Sequence, residues 1–218
     1  MTLQDKLDAY RTDFETKAPA DALGVMRRAT ADLAASGILD GVLRPGALAP
    51  TFTLPDSEGV ELSSAHLLAR GPLVVTFYRG IWCPYCNIDL RELGALTREI
   101  AALGATLVAI SPQSTTNGAK TRRDLGLDFP VLHDAGNAVA ALFGLRFRLA
   151  DELIALYQGF GVDLPKVNGE PSWTLPMPAR FVIAADGRIA YAETDPDYTR
   201  RPEPTAFMDV LRGLRAGV

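Results

Sequence analysis

Cysteine is close to absent from this chain: 218 residues hold two, Cys83 and Cys86. Two thiols cannot form a disulfide framework. A structural zinc site wants four ligands, and here only His66 and His133 remain as nitrogen donors. A metal cofactor is therefore not expected. Excess positive charge is also missing. The net charge is −4 and the Lys and Arg residues are scattered, so there is no basic footprint for nucleic acid. No apolar run approaches the roughly 20 residues that span a bilayer. The start, Met1-Thr2-Leu3-Gln4-Asp5-Lys6, lacks the basic-then-apolar order of a secretory leader. The expectation is a cytoplasmic protein with no membrane partner, where thiols are held reduced. Repeats and low-complexity segments are absent as well.

What the chain has is the placement of its two thiols. Cys83-Pro84-Tyr85-Cys86 follows the apolar run Leu73–Tyr78 directly. Residues three apart on a helix face the same way, with β-carbons about 5–6 Å apart, near what a disulfide needs. Pro84 suits a first helical turn, so the helix should begin at or just after Cys83. The free N–H groups and partial positive charge of that helix end favour thiolate over thiol. A structural disulfide would close a tiny loop of little entropic worth. Reversible dithiol chemistry is the stronger reading over zinc, a structural bridge or an inert buried pair.

At 48% hydrophobic content the chain can bury a sizeable core. Apolar residues at helical spacing (Leu3, Leu7, Tyr10, Phe14, then Leu23, Met26, Leu33), broken at Pro19, predict two helices in an N-terminal arm over residues 1–43. The arm's stripe packs on its own domain or, alternatively, makes a homodimer. After the Pro- and Gly-rich stretch to Pro50 the pattern is strand-like at 52–54 and 60–62. It then alternates: strand 73–78, helix 85–103, strand 106–110, helix 115–125, strand 129–132, helix 137–143. A helix at 153–160, a loop from Gly161 to Pro178, a hairpin around Asp186-Gly187 and a closing helix near 203–215 complete it. This describes an α/β, thioredoxin-like fold over 44–218, a central mixed sheet flanked by helices with an N-terminal helical extension.

Ala49-Pro50-Thr51-Phe52-Thr53-Leu54, Val74–Tyr78, Phe129–Asp134 and Phe181–Gly187 resemble, in order, the AhpC/TSA group of the peroxiredoxin superfamily. Tyr78-Arg79-Gly80-Ile81-Trp82-Cys83-Pro84-Tyr85-Cys86-Asn87 and Asp195–Arg201 are most similar to its branch with a thioredoxin-type CxxC. The resemblance implies an antioxidant oxidoreductase that reduces hydrogen peroxide or organic hydroperoxides and is recycled by thioredoxin or a similar dithiol. It puts Cys86 in the peroxidatic place, Cys83 at the Thr position, Arg79 where Pro belongs and Pro178 where the catalytic Arg is expected. By that alignment Cys86 attacks and Cys83 resolves. The same dithiol resembles that of glutaredoxin, and Met177-Pro178 matches the cis-proline position of thioredoxins. That analogy makes Cys83 the attacking thiol and protein disulfides the substrate. A redox sensor without enzymatic activity is the third alternative.

Arg79 and Arg180 are candidates to supply positive charge near the thiolates. Trp82 is a candidate to shield the dithiol, and Tyr85 is expected to be exposed between the thiols. Asp195 or Tyr198 could face the site, though a plain turn is the simpler reading. His66 is read as surface and His133 as a solvated turn residue, neither of them a base.

Overall fold

The computed structural model describes residues 1–216; Gly217 and Val218, the end of the expected main domain, lie outside the described residues. Helices α1 (Leu3–Lys17) and α2 (Ala20–Ala35) come first. Then follow β1 (Thr53–Pro55), β2 (Glu61–Ser63), α3 (Ser64–Leu68), β3 (Leu73–Phe77), α4 (Pro84–Ala95), α5 (Thr97–Ala102), β4 (Thr106–Ser111) and α6 (Thr115–Leu125). The chain continues through β5 (Val131–His133), α7 (Ala138–Leu142), β6 (Arg146–Arg148), α8 (Asp151–Gly159) and α9 (Leu164–Asn168). It closes with β7 (Thr174–Pro176), β8 (Ala179–Ile183), β9 (Ile189–Thr194) and α10 (Met208–Ala216).

Five strands form the central sheet in the order β5-β4-β3-β8-β9. β3, β4 and β5 run parallel, while β8 and β9 are antiparallel, so the sheet is mixed as expected. β3 is central, which explains why Leu73-Val74-Val75-Thr76-Phe77 is apolar without alternation: all five residues are buried. Its side chains still alternate between two cores. Val74 joins Leu107, Val182 and the face carrying α1, α4 and α10. Leu73, Val75 and Phe77 join Phe143, Phe181 and the opposite face.

The first core holds the thiols, and α1 lies on it. Thr2 caps α1 in a reciprocal box with Asp5, and the helix stops before Pro19. Its Leu3 and Leu7 are buried beside Cys83, Cys86 and Leu90. α2 packs instead on α8.

Two expectations need correction. The helix read over 85–103 is interrupted at Leu96, giving α4 and α5. Gly94 weakens the helix there, and the Thr97 hydroxyl donates to the Gly94 carbonyl at 2.9 Å, offering the backbone a competing partner. The stretch 161–178 is not all loop. Asp163 caps α9, Pro165 stands in its first turn and Gly169, in the left-handed region, ends it. β7 then pairs with β6 in a separate two-stranded sheet, as β1 does with β2. At five and three residues, these elements are too short for periodicity to reveal.

Candidate active site

The chain leaves β3 and must reverse before α4, and Gly80 makes the bend at φ +137°. A β-carbon there would stand 2.7 Å from the Trp82 indole nitrogen, so glycine is required. The loop is fixed from both sides. Ile81 N–H donates to Gln113 Oε1 at 2.8 Å, Asn87 Nδ2 donates to the Ile81 carbonyl at 2.7 Å, and Cys83 N–H donates to the Gly80 carbonyl at 3.0 Å. Cys83 is the N-cap of α4, Pro84 its first residue, and Cys86 stands one turn in.

Both thiols are reduced and buried, 2% and 1% exposed. Their environments divide one charge unequally. Burial opposes ionisation of Cys83, but the Cys86 thiol hydrogen bond and the charges of Arg79 and Arg201 outweigh it and bring the pKa down to about 6. Burial pushes Cys86 well above the usual thiol range, reinforced by the hydrogen bond to Cys83 and by its negative charge. At neutral pH Cys83 carries the thiolate and Cys86 keeps its proton. Cys86 Sγ also accepts from Arg79 N–H and from Arg201 Nη2, both at 3.5 Å.

Arg79 is buried in an aromatic box. Its guanidinium carbon lies 4.3 Å from the Tyr198 ring centroid, 4.9 Å from Trp82 and 5.8 Å from Tyr157. One Nη donates to the Tyr157 hydroxyl at 2.6 Å, while Nε has no partner. These are cation–π distances, and the three rings fix the position of the cation.

A second arginine, Arg201, reaches Cys86 from the loop before α10. Its Nε is 3.6 Å from Asp89 of α4, and Asp89 also takes Arg180 Nη2 at 2.6 Å. The three side chains are 4%, 5% and 2% exposed, so this is a buried arginine–carboxylate–arginine bridge.

Of the residues read as candidates, Cys83, Cys86, Arg79 and Trp82 come together. Arg180 sits one residue removed: strand register turns it to Asp89, and it makes no hydrogen bond to either sulfur. Pro178 lines a 30 Å³ crevice with Arg79, Met177 and Tyr157, and its peptide bond is trans, as are all others among the described residues. Tyr85 is not exposed. It is 5% accessible because α1 covers it, with Tyr10 packed edge-on at 5.2 Å and Tyr198 at 5.5 Å. Tyr198 faces the site, while Asp195 bonds within its own turn through Asp197 N–H. His66 is exposed, and His133 Nδ1 stands 2.7 Å from the Gln113 carbonyl, away from the thiols.

Sequence reasoning missed Arg201, Asp89 and Tyr157. Asp89 was findable, since it lies three residues after Cys86 on the same helix face. Tyr157 arrives from a distant helix without local signal, and Arg201, though it ends the Asp195–Arg201 stretch that carried the resemblance, has nothing there to tie it to a thiol. Among the described residues no group of three or more His, Cys, Asp and Glu could hold a metal ion, and no helix is long and apolar enough to cross a membrane.

A cavity of about 220 Å³ opens on Cys83, lined also by Arg79, Trp82 and Tyr198; Cys86 does not line it.

The profile of the AhpC/TSA family matches residues 45–192, the sheet and the thiol turn included. The chain belongs to the AhpC/TSA family. A Mycobacterium tuberculosis protein assigned to the peroxiredoxins is 32% identical over 112 residues, 51% of this chain and 73% of that one. The crystal structure of peroxidoxin BcpB from Mycobacterium tuberculosis superposes with a TM-score of 0.62 at 24% identity, covering 81% of this chain and 98% of that one. A structure of Xanthomonas campestris bacterioferritin comigratory protein, studied for alkyl peroxide reduction, gives 0.56 at 17% identity, over 76% and 91%. These two structures bear on fold, and the AhpC/TSA fold is the one described above. The matched region excludes both the α1–α2 extension and the loop that carries Tyr198 and Arg201.

Proposed function

We propose that this AhpC/TSA protein is a thiol-dependent peroxidase whose Cys83 attacks the hydroperoxide and whose Cys86 resolves the product. The observation that carries the assignment is the unequal pair: Cys83 lines the cavity with its pKa at about 6, while Cys86 lies behind it and stays protonated. This reverses the order that alignment suggests.

The Cys83 thiolate attacks one peroxide oxygen and the O–O bond breaks. Sulfur is oxidised to sulfenic acid, and the other oxygen leaves as water or alcohol after taking a proton. Arg79, which lines the cavity, is suited to hold the developing negative oxygen. It supplies the positive charge that the family's usual arginine, replaced by Pro178, would give. Cys86 then attacks the Cys83 sulfur, an S–S bond forms and water leaves. A thioredoxin-type dithiol restores both thiols by exchange. No step calls for a metal or an organic cofactor. We place the reaction in the cytoplasm, and the exposed surface of the extension leaves a homodimer open to a sedimentation test.

Exchange with protein disulfides is the second reading, since the step that recycles the enzyme is itself a dithiol exchange at the same two sulfurs. Sulfenic acid trapping after one equivalent of hydroperoxide tests the order. Cys86→Ser should hold a trappable sulfenic acid and Cys83→Ser should not. The opposite result restores Cys86 as the attacking thiol. Wild-type protein that reduces insulin disulfides but consumes peroxide no faster than a free thiol would remove the peroxidase reading.

A further inference from the structure

The cavity at Cys83 is larger than hydrogen peroxide requires, and one part of its wall, Tyr10, Phe14, Met26 and Tyr198, comes from outside the family's matched region. At about 30 Å³ per water, its 220 Å³ corresponds to about seven waters. Apart from the Cys83 thiolate, Arg79 is the one charged residue among those that line it. Tyr10 and Phe14 of α1 and Met26 of α2 form one side; Phe160 and Val162, just past α8, form the other. Phe14 meets Phe160 edge-on at 6.5 Å across the rim. A second cleft of about 440 Å³ shares Phe14, Met26, Tyr85 and Tyr198 with this cavity and opens outward between the two N-terminal helices and the turn at 195–199.

We infer that the N-terminal extension is the specificity element of this enzyme, forming with Phe14 and Met26 a pocket for the apolar substituent of an organic hydroperoxide. This rests on the peroxidase reading above and adds what selects the substrate. Hydrogen peroxide would leave the aromatic and thioether walls facing water. An aryl or branched alkyl group removes that surface from water and directs its peroxide oxygens toward Cys83 and Arg79. Met26 and the edge-packed rings adapt to a substituent without a fixed shape, as thioethers do in binding surfaces.

Cumyl alcohol, the redox-inert product of cumene hydroperoxide, probes the pocket without chemistry. Calorimetric titration into the reduced full-length protein should show saturable binding, weakened about tenfold in Phe14→Ala and Met26→Ala, the scale of losing one buried apolar contact. The kcat/KM ratio of cumene hydroperoxide to hydrogen peroxide should fall by a similar factor in both. Met26→Trp, which fills the space rather than emptying it, should lower the same ratio by exclusion, and it keeps the test open where an alanine variant fails to fold. Leu142→Ala, at an exposed side chain at the end of α7 that does not line the cavity, should leave alcohol binding unchanged. No binding to wild type, or wild-type affinity and ratio in the Phe14 and Met26 variants, overturns the inference. Inert thiols toward every hydroperoxide, with alcohol binding and its loss intact, would sink the peroxidase reading and leave the pocket standing.

Discussion

At the residue scale the chemistry turns on which sulfur holds the proton. A thiol with its pKa at about 6 is mostly thiolate at pH 7 and mostly protonated at pH 5, so reactivity must fall as pH drops through 6. The rate of Cys83 alkylation by iodoacetamide, read by mass spectrometry, should be about tenfold lower at pH 5 than on the plateau near pH 7. A midpoint near 8.5, the free-thiol value, would mean that Arg79 and Arg201 do not support the charge. Asp89 gives a second residue-scale outcome. Replacing it with Ala leaves Arg180 and Arg201 buried without a counter-charge, and breaking such a bridge costs about 3–5 kcal/mol. Urea unfolding of Asp89→Ala should show that loss; a change below about 1 kcal/mol would place the pair among the weak, water-screened ones. The thiols, Arg79 and Trp82 were legible in the sequence because one short turn carries them all. Arg201 was not, because nothing local couples position 201 to position 86.

At the element scale, α1 does more than cover the core. Its first turn grips the loop that brings Tyr198 and Arg201 to the thiols. Leu3 N–H donates to Glu203 Oε2 at 3.1 Å, Gln4 Nε2 donates to the Thr199 carbonyl at 3.4 Å, and Arg201 N–H donates to Gln4 Oε1 at 3.3 Å. Gln4→Ala removes the last two together and touches no sulfur. Amide exchange across residues 195–203, followed by mass spectrometry, should accelerate in that variant while exchange in β3 and β4 stays as in wild type. Equal protection in both proteins would mean that the loop holds itself. The elements themselves were largely legible. Periodicity and Pro19 gave α1 and α2, and Asp186-Gly187 gave the β8–β9 hairpin. What periodicity could not give was the break at Leu96, caused by a threonine hydroxyl, or the β6–β7 pair, whose three-residue strands have no room for alternation.

At the scale of the whole molecule, the boundary in the sequence near residue 44 does not coincide with a boundary in the core. Leu7 is fully buried in the cluster that contains Cys83, Val74 and Leu107, so the extension and the family's sheet share apolar contacts. Elements that share a core are expected to unfold together, and a cooperative unit shows one transition by every probe. Thermal unfolding followed by far-ultraviolet circular dichroism and by tryptophan fluorescence should therefore give coincident curves. Leu7→Ala should shift both together, costing about 2–5 kcal/mol as a buried leucine truncation does. A first transition confined to the helix signal, with Trp82 and Trp173 still in their folded environment, would mean that residues 1–36 melt as a separate appendage. In that case the pocket wall at Phe14 and the grip on Arg201 would be lost before the sheet opens, and the enzyme would lose substrate selection at temperatures where its fold survives.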